Sequence, residues 1–354
     1  MRRIAIFQRD LGVGGIQRSL RNLLTGTDLS GYIVDLYLFE PPSRQVRQEL
    51  KGCNIYVLKP LFYLNRIVPI RLLERMFRYT LPRVEYDLAI DYSSYSNECA
   101  LCCRQIKAKR RIMWIHNDLA LEYAHNRKYR ILFRAFRRKY RDYDAFVAVS
   151  DGIVAPFREK TGVQEDVPVY VIPNMINTQL IFARSEAPID FRVDPVVTNF
   201  IFVGRFTYQK GIDILLRHFR EALDERNDIQ LYLMGDGEEK PNILKQIEAL
   251  QLTDFVSVLP KADNPYPYMA LMDALVLTSR HEGQGMVLLE GKALGLDLIF
   301  PKHLEKYNDD LVGCEDVTRA IVQQHKKTDR QRDSLDAYNL NIKNSLYALF
   351  DQDA

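Results

Sequence analysis

The sequence predicts an α/β protein of two domains, each built on a parallel β-sheet with helices on both faces. Three observations lead there. The 354 residues exceed what one hydrophobic core usually organises. Short apolar runs of strand length alternate with segments of helical periodicity along the whole chain. The charge also divides: residues 1–180 hold 29 Lys and Arg against 18 Asp and Glu, a balance of +11, whereas residues 181–354 hold 20 against 28, or −8. Opposite signs in the two halves suit separate domains with different partners.

The elements follow in order. Met1-Arg2-Arg3-Ile4-Ala5-Ile6-Phe7 meets charge at Arg9 and Asp10, too soon for the core of a signal peptide. It reads as a first buried strand. Further strands are predicted at 33–39, 55–58, 88–90, 112–115, 145–149 and 169–172, and then at 200–203, 230–234, 256–259, 274–277 and 298–300. Helical periodicity lies between most of them, as at 211–223 and 241–250. Clean periodicity fails over 173–194. The domains are therefore drawn as 1–175, a linker at 176–195, a second domain at 196–327, and a C-terminal segment 328–354. In that segment a helix over 328–350 is expected to pack back across the first domain. No apolar stretch reaches the roughly 18 residues of a membrane-spanning helix. With no targeting segment recognised, the cytoplasm is the expected compartment.

Five cysteines, at 53, 99, 102, 103 and 314, are odd in number and scattered, which disfavours a disulfide framework. Cys99, Cys102 and Cys103 have no second Cys or His pair at ligand spacing and read as buried thiols of a helix rather than metal ligands. No metal and no cofactor is expected.

Four loops carry chemistry. Gly12-Val13-Gly14-Gly15 follows the first strand and precedes a helix, where backbone N–H groups can approach a phosphate or sugar. The spacing is not that of a dinucleotide fingerprint, and a plain strand-to-helix turn explains the glycines equally well. Gly204-Arg205-Phe206-Thr207-Tyr208-Gln209-Lys210-Gly211 repeats the arrangement in the second domain and places two cations at the carboxyl end of a parallel sheet. A planar guanidinium and a point-charge ammonium suit a diphosphate; two solvated surface cations are the plainer reading. In Gly235-Asp236-Gly237, Asp236 reads as a helix N-cap. The strongest signal is His281-Glu282-Gly283-Gln284-Gly285-Met286-Val287-Leu288-Leu289-Glu290. Glu282 should sit in the loop before a helix and Glu290 about one turn inside it. The helix start favours an anion, and each carboxylate can accept from two vicinal hydroxyls.

The pair Glu282 and Glu290, seven residues between them, resembles the signature of retaining glycosyltransferase family 4. The Gly204-Arg205…Lys210-Gly211 turn is similar to that family's donor-phosphate motif, and Gly14-Gly15 to its N-terminal glycine loop. Asn264-Pro265-Tyr266-Pro267-Tyr268 looks like a segment of members that build bacterial surface polysaccharides. The resemblance covers the second domain nearly throughout and the first more thinly. It implies a GT-B fold, two Rossmann-like domains facing across a cleft, and transfer of a hexose-type sugar from a nucleotide diphosphate donor, with a UDP-sugar the commonest case. It implies that Arg205, Lys210, Gly14 and Gly15 hold the diphosphate and that Glu290 holds the ribose. Glu282 and His116 would serve the transferred sugar as catalytic residues. Backbone at Gly283, Gln284, Gly285, Met286 and Val287 would touch the donor, with Val258 and Leu259 beside the base. The sequence departs from the family pattern in having Gln284-Gly285 for the usual Phe-Pro, Lys292 for an apolar residue, and no glycine after Asn174.

Two stretches mix cations with aromatic and aliphatic residues. Residues 127–141 carry Arg127, Lys128, Arg130, Arg134, Arg137, Arg138, Lys139 and Arg141, and residues 61–79 carry Arg66, Arg71, Arg75 and Arg78. Such helices bind anionic headgroups, and solvated helix faces explain them equally. No nucleic-acid motif accompanies the charge. Together with the resemblance, they lead us to expect a lipid-linked oligosaccharide or glycan acceptor, and a peripheral position at the inner face of the cytoplasmic membrane. A nucleotide-sugar 2-epimerase of the same fold and a non-catalytic partner subunit are the rival readings. The first needs more acid–base groups in the first domain than His116 supplies.

Overall fold

The fold is described from a computed structural model covering every residue except 13, 62–67, 95, 126–129, 131, 132, 134–136, 309, 353 and 354. Met1–Met175 together with Ala337–Ala354 form one compact unit, and Ile176–Asp336 form a second.

Among the described residues the first unit holds β1 (Arg2–Phe7), β2 (Tyr32–Leu38), β3 (Cys53–Val57), β4 (Tyr86–Asp91), β5 (Ala108–Ile115), β6 (Ala145–Ala148) and β7 (Val169–Val171). They pair in parallel in the order β3-β2-β1-β4-β5-β6-β7. The second unit holds β8 (Thr198–Val203), β9 (Ile229–Met234), β10 (Val256–Leu259), β11 (Ala274–Val276) and β12 (Asp297–Ile299). These are parallel too, in the order β10-β9-β8-β11-β12. Every strand predicted from the apolar runs is present, within a few residues at its ends. In each unit the chain starts on a central strand, winds to one edge, and returns to the other side. The loops after β1 and β4, and after β8 and β11, therefore diverge and leave a crevice at the carboxyl ends of the strands, where open α/β sheets bind ligands.

Local sequence accounts for the layers. β8 reads Thr198-Asn199-Phe200-Ile201-Phe202-Val203 and is buried almost throughout, as a strand covered by helices on both faces must be. The helix Ile212–Leu223 buries Ile212, Leu215, Leu216, Phe219 and Ala222, a single stripe at helical spacing. Cys99, Cys102 and Cys103 are fully buried in the helix Asn97–Gln105, and burial pushes their thiols well up.

Three expectations are corrected. The C-terminal helix spans Asp336–Asp351, not 328–350. Before it, Arg330 donates to the carbonyls of Ala270 and Leu271 and to the Asp273 carboxylate, while the Lys327 and Asp333 amides bond to Asp273 and to the Ala293 carbonyl. Those tertiary bonds hold the segment open. The helix itself does pack on the first unit: the Tyr347 hydroxyl accepts from the Asp28 amide at 3.0 Å, and Tyr32 meets the Phe350 ring edge-on. The stretch read as linker contains the helix Thr178–Ser185, started by the Asn177 side chain accepting from the Leu180 amide at 2.9 Å.

The third concerns the basic segments. Arg137–Asp142 forms a short 3-10 helix with Arg137, Arg138 and Arg141 exposed, but Lys139 is buried, its ammonium donating to the Ser94 carbonyl at 2.6 Å. Asp91, fully buried on β4, lies close enough to favour the charged ammonium against the burial that disfavours it. Lys139 therefore faces the core and not a membrane. Helix Ile70–Met76 buries Ile70 and Leu73 and exposes Leu72 and Met76 beside Arg71 and Arg75. Arg66, Arg127, Lys128 and Arg134 lie outside the described residues. Among the described residues no helix is long and apolar enough to cross a membrane.

Candidate functional site

The second sheet brings two predicted residues into direct contact. β8 runs into the loop bearing Arg205 and Lys210, and β11 into the loop bearing Glu282. The Lys210 ammonium donates to Glu282 Oε1 at 2.6 Å, with Glu282 only 5% exposed. The loops can approach because Gly211 is left-handed at φ 62, and a Cβ there would stand 2.2 Å from the Thr278 carbonyl oxygen. The Thr278 hydroxyl donates to the Gly211 carbonyl at 2.9 Å and locks the junction.

Arg205 is exposed and forms no ion pair among the described residues. Its loop rests on the turn after β9. The Phe206 amide donates to the Asp236 carbonyl, and the Glu239 amide to the Phe206 carbonyl, each at 2.9 Å. Gly235, at φ 157, is a second position where a side chain cannot fit: its Cβ would lie 1.9 Å from the Gly204 carbonyl oxygen. Asp236 is not the helix cap expected. The helix Lys240–Ala249 starts after Glu239 without a side-chain cap, and the Asp236 carboxylate instead stands 3.7 Å from Lys240.

Glu290 lies in the first turns of the helix Met286–Ala293 and is 2% exposed, one oxygen accepting from the Tyr266 hydroxyl at 3.2 Å. Tyr266 belongs to the Asn264–Tyr268 motif, so that motif reaches the site through the second glutamate. The Gly285 amide is occupied by Asn308 Oδ1 at 2.9 Å and the Met286 amide by the Gln284 carbonyl at 3.0 Å. Gly283 is buried; Gln284, Met286 and Val287 are half-buried. Val258 and Leu259 close the edge strand β10 and are half-buried as well.

His116 and the N-terminal glycines belong to the first unit. His116 follows β5 and is 6% exposed, with Nε2 2.8 Å from the Tyr92 carbonyl oxygen. Burial pushes its pKa down to about 4, so near neutral pH the ring is uncharged. An uncharged ring bonded to a carbonyl carries its proton on Nε2, which leaves Nδ1 as an acceptor. Gly14 precedes the helix Gly15–Gly26, and the loop before it is fastened by Asp10, which accepts from the Gly12 amide at 2.9 Å and from Gln17 at 3.2 Å. Beside Gly15 the space is open, with nothing within 4 Å of an added Cβ. Val13 lies outside the described residues. Among the described residues no group of three His, Cys, Asp or Glu gathers as a metal site.

Several structural residues escaped the sequence reading. Arg280 binds Asp213 through both terminal nitrogens, at 2.9 and 2.7 Å, and lies over the Tyr208 ring at 3.8 Å. Its place two residues before Glu282 was the available signal. Asn308 carried none, since its partner Gly285 is remote in sequence, and the Asn264–Tyr268 motif marked Tyr266 without pointing to Glu290.

Comparison with known proteins gives a consistent result. The family described as Glycosyltransferase Family 4 matches residues 13–180, and that described as Glycosyl transferases group 1 matches residues 197–322. The lipopolysaccharide core biosynthesis glycosyltransferase LpsE of Rhizobium meliloti is 31% identical over 161 residues, 45% of this chain and 44% of that protein. The O-antigen biosynthesis glycosyltransferase WclY of Escherichia coli is 32% identical over 96 residues, 27% of this chain and 26% of that one. The chain thus spans less than half the length of these curated relatives. HepE of Anabaena, solved in complex with UDP and glucose, shares the fold over 99% of this chain and 100% of that one, with a TM-score of 0.65 at 14% identity. Two family matches that adjoin along the chain, on two parallel doubly wound sheets, make this protein a member of the family 4-like glycosyltransferases of GT-B fold.

Proposed function

We propose that the chain is a retaining glycosyltransferase that moves a hexose-type sugar from a UDP-sugar to a lipid-linked or polysaccharide acceptor in cell-surface glycan synthesis. The observation that carries this reading is the Lys210–Glu282 contact of 2.6 Å at the switch point of the second sheet. A cation fit for a diphosphate and a carboxylate fit for sugar hydroxyls stand side by side where such folds bind nucleotides. The lipopolysaccharide-core and O-antigen roles of LpsE and WclY support the surface-glycan context, and HepE with UDP and glucose supports the donor class.

In this reading Arg205 and Lys210 stabilise the negative charge that grows on the departing diphosphate, the largest catalytic contribution. They supply that charge without a metal. Glu290, steadied by Tyr266, accepts from the ribose hydroxyls, and Glu282 accepts from the transferred sugar. The backbone near Gly283 and Val287 borders the donor, with Val258 and Leu259 near the base. His116 Nδ1 accepts from a sugar hydroxyl, and Gly14 and Gly15 offer backbone N–H groups to the donor. The anomeric carbon loses its bond to the phosphate oxygen and gains one to the acceptor oxygen on the same face, while the acceptor proton passes to the leaving phosphate. Exposed Arg71, Arg75, Arg137 and Arg138, with Leu72 and Met76, hold the protein at an anionic membrane surface.

A thermal-shift panel of UDP-, GDP-, dTDP-, CDP- and ADP-sugars tests the donor. A ligand at 100 times its Kd stabilises the native state by about 2.7 kcal/mol. A UDP-sugar should raise Tm by several degrees; a flat response to the whole panel would remove the reading.

A further inference from the structure

We propose that Arg280 is a positioning residue that fixes the distance between Lys210 and Glu282 and thereby sets donor affinity. The inference rests on reading those two residues as the diphosphate and sugar groups.

Each residue from Tyr208 to Gly211 is bonded to the loop after β11. The Arg280 guanidinium donates to the Tyr208 carbonyl at 2.6 Å and lies 3.8 Å from the centre of the Tyr208 ring. The Arg280 amide donates to the Gln209 carbonyl at 2.8 Å, and the Gln209 side-chain amide donates back to the His281 carbonyl at 3.0 Å. Lys210 meets Glu282 at 2.6 Å, and Thr278 meets the Gly211 carbonyl at 2.9 Å. Arg280 is the only side chain of this set that serves three purposes. It spans the two loops, stacks on one of them, and anchors both to Asp213 in the first turn of the helix Ile212–Leu223. An acidic side chain is favoured at that helix start, so the anchor is well placed. Behind the loop, His303 Nε2 lies 3.0 Å from the Ser279 carbonyl oxygen, which restrains the opposite side.

The fork is essential to this arrangement. Two parallel bonds to Asp213 and a third to a carbonyl require a planar guanidinium, and a lysine ammonium cannot supply that geometry. Without the fork, the loops keep their Gly211–Thr278 junction but lose the constraint nearest the paired charges. Misplacement by about 1 Å at a reacting centre costs on the order of 100-fold in rate.

Calorimetric titration of the full chain with UDP, GDP, dTDP, CDP and ADP, with thermal melts of every variant, tests the proposal. Arg280→Ala should weaken the diphosphate that binds wild type by roughly 10- to 100-fold. Arg280→Lys should recover little of that loss. If Arg280 acts through Lys210, then Lys210→Ala combined with Arg280→Ala should bind no more weakly than Lys210→Ala alone, because effects on one shared unit do not add. A separate structural role would add in full. Binding of Arg280→Ala within twofold of wild type, or full additivity, overturns the proposal while leaving the function intact. Failure of wild type to bind any of the five removes the function and this inference together. Asp213→Asn, which keeps shape and removes charge, carries the same test if Arg280→Ala does not fold.

Discussion

Replacing Lys210 by Met should damage stability as well as catalysis, because Glu282 depends on it. The Glu282 side chain is 6% exposed and that of Lys210 19%, at a separation of 2.6 Å. Removing one partner of a buried pair costs about 3–5 kcal/mol, since a charge is left without compensation. Water can enter where Lys210 reaches the surface, so the cost falls to the bottom of that range or just below it, roughly 2–3 kcal/mol. For a unit the size of Ile176–Asp336, each kcal/mol moves Tm by about 2–4 °C, which gives a fall of roughly 4–12 °C. The second substitution, Glu282→Gln in the Lys210→Met background, removes the orphaned charge and should return most of that loss. Differential scanning calorimetry of wild type, both singles and the double reads the coupling directly. Turnover should not return with stability: losing one donor to a developing oxyanion costs about 10²- to 10³-fold in kcat. If Lys210→Met melts within 1 °C of wild type, or the double is no more stable than that single, the pair is not the buried, interdependent unit argued for.

Two further outcomes are expected. Folded His116 has its pKa near 4 against an ordinary 6.5, so between those values the unfolded chain binds the extra proton and stability falls as pH falls, by roughly 3 kcal/mol in total. The stability advantage of wild type over His116→Gln should shrink between pH 7 and pH 4.5, and parallel Tm–pH curves would contradict the buried neutral ring. Changing Arg71, Arg75, Arg137 and Arg138 to Ser should weaken partition onto anionic vesicles by up to roughly 1000-fold, at about 1 kcal/mol per cation; unchanged co-sedimentation at physiological salt would defeat the membrane reading.

How much of this was legible in the sequence depended on whether the cause was local. Strands such as β8 and β9 are continuous apolar runs because both faces are covered, and that signal survives without any knowledge of partners. The loops carrying Lys210 and Glu282 were visible because glycines mark them, and the reason for one glycine is now physical: the Thr278 carbonyl occupies the space a Cβ at Gly211 would need. What failed was any property set by distant residues. Lys139 read as one more cation on a basic face, yet the Ser94 carbonyl 45 residues earlier in the chain draws it inside. Residues 328–335 had helical composition, but Asp273 and Ala293 claim their bonding groups. The Gly285 amide looked open to an anion until Asn308 filled it.

The two cations proposed for the diphosphate are consequently unequal. Lys210 is already neutralised by Glu282, so an arriving diphosphate must share it. Arg205 is exposed and has no carboxylate beside it among the described residues. Of the two, Arg205 is therefore the one whose charge is not offset by a neighbouring carboxylate, and it acts through solvent and is screened by salt. Lys210 acts at contact, in a partly dry setting where its attraction is stronger and less screened. In the proposed function, Arg205 would then govern capture of the donor, and Lys210 how tightly the diphosphate is held as its bond to the sugar breaks. Because Lys210 is bonded to the same carboxylate that is proposed to hold the sugar, any shift of charge on the phosphate is felt at Glu282. With the proposed roles, the pair would couple the leaving group to the transferred sugar, a coupling that neither residue could provide alone.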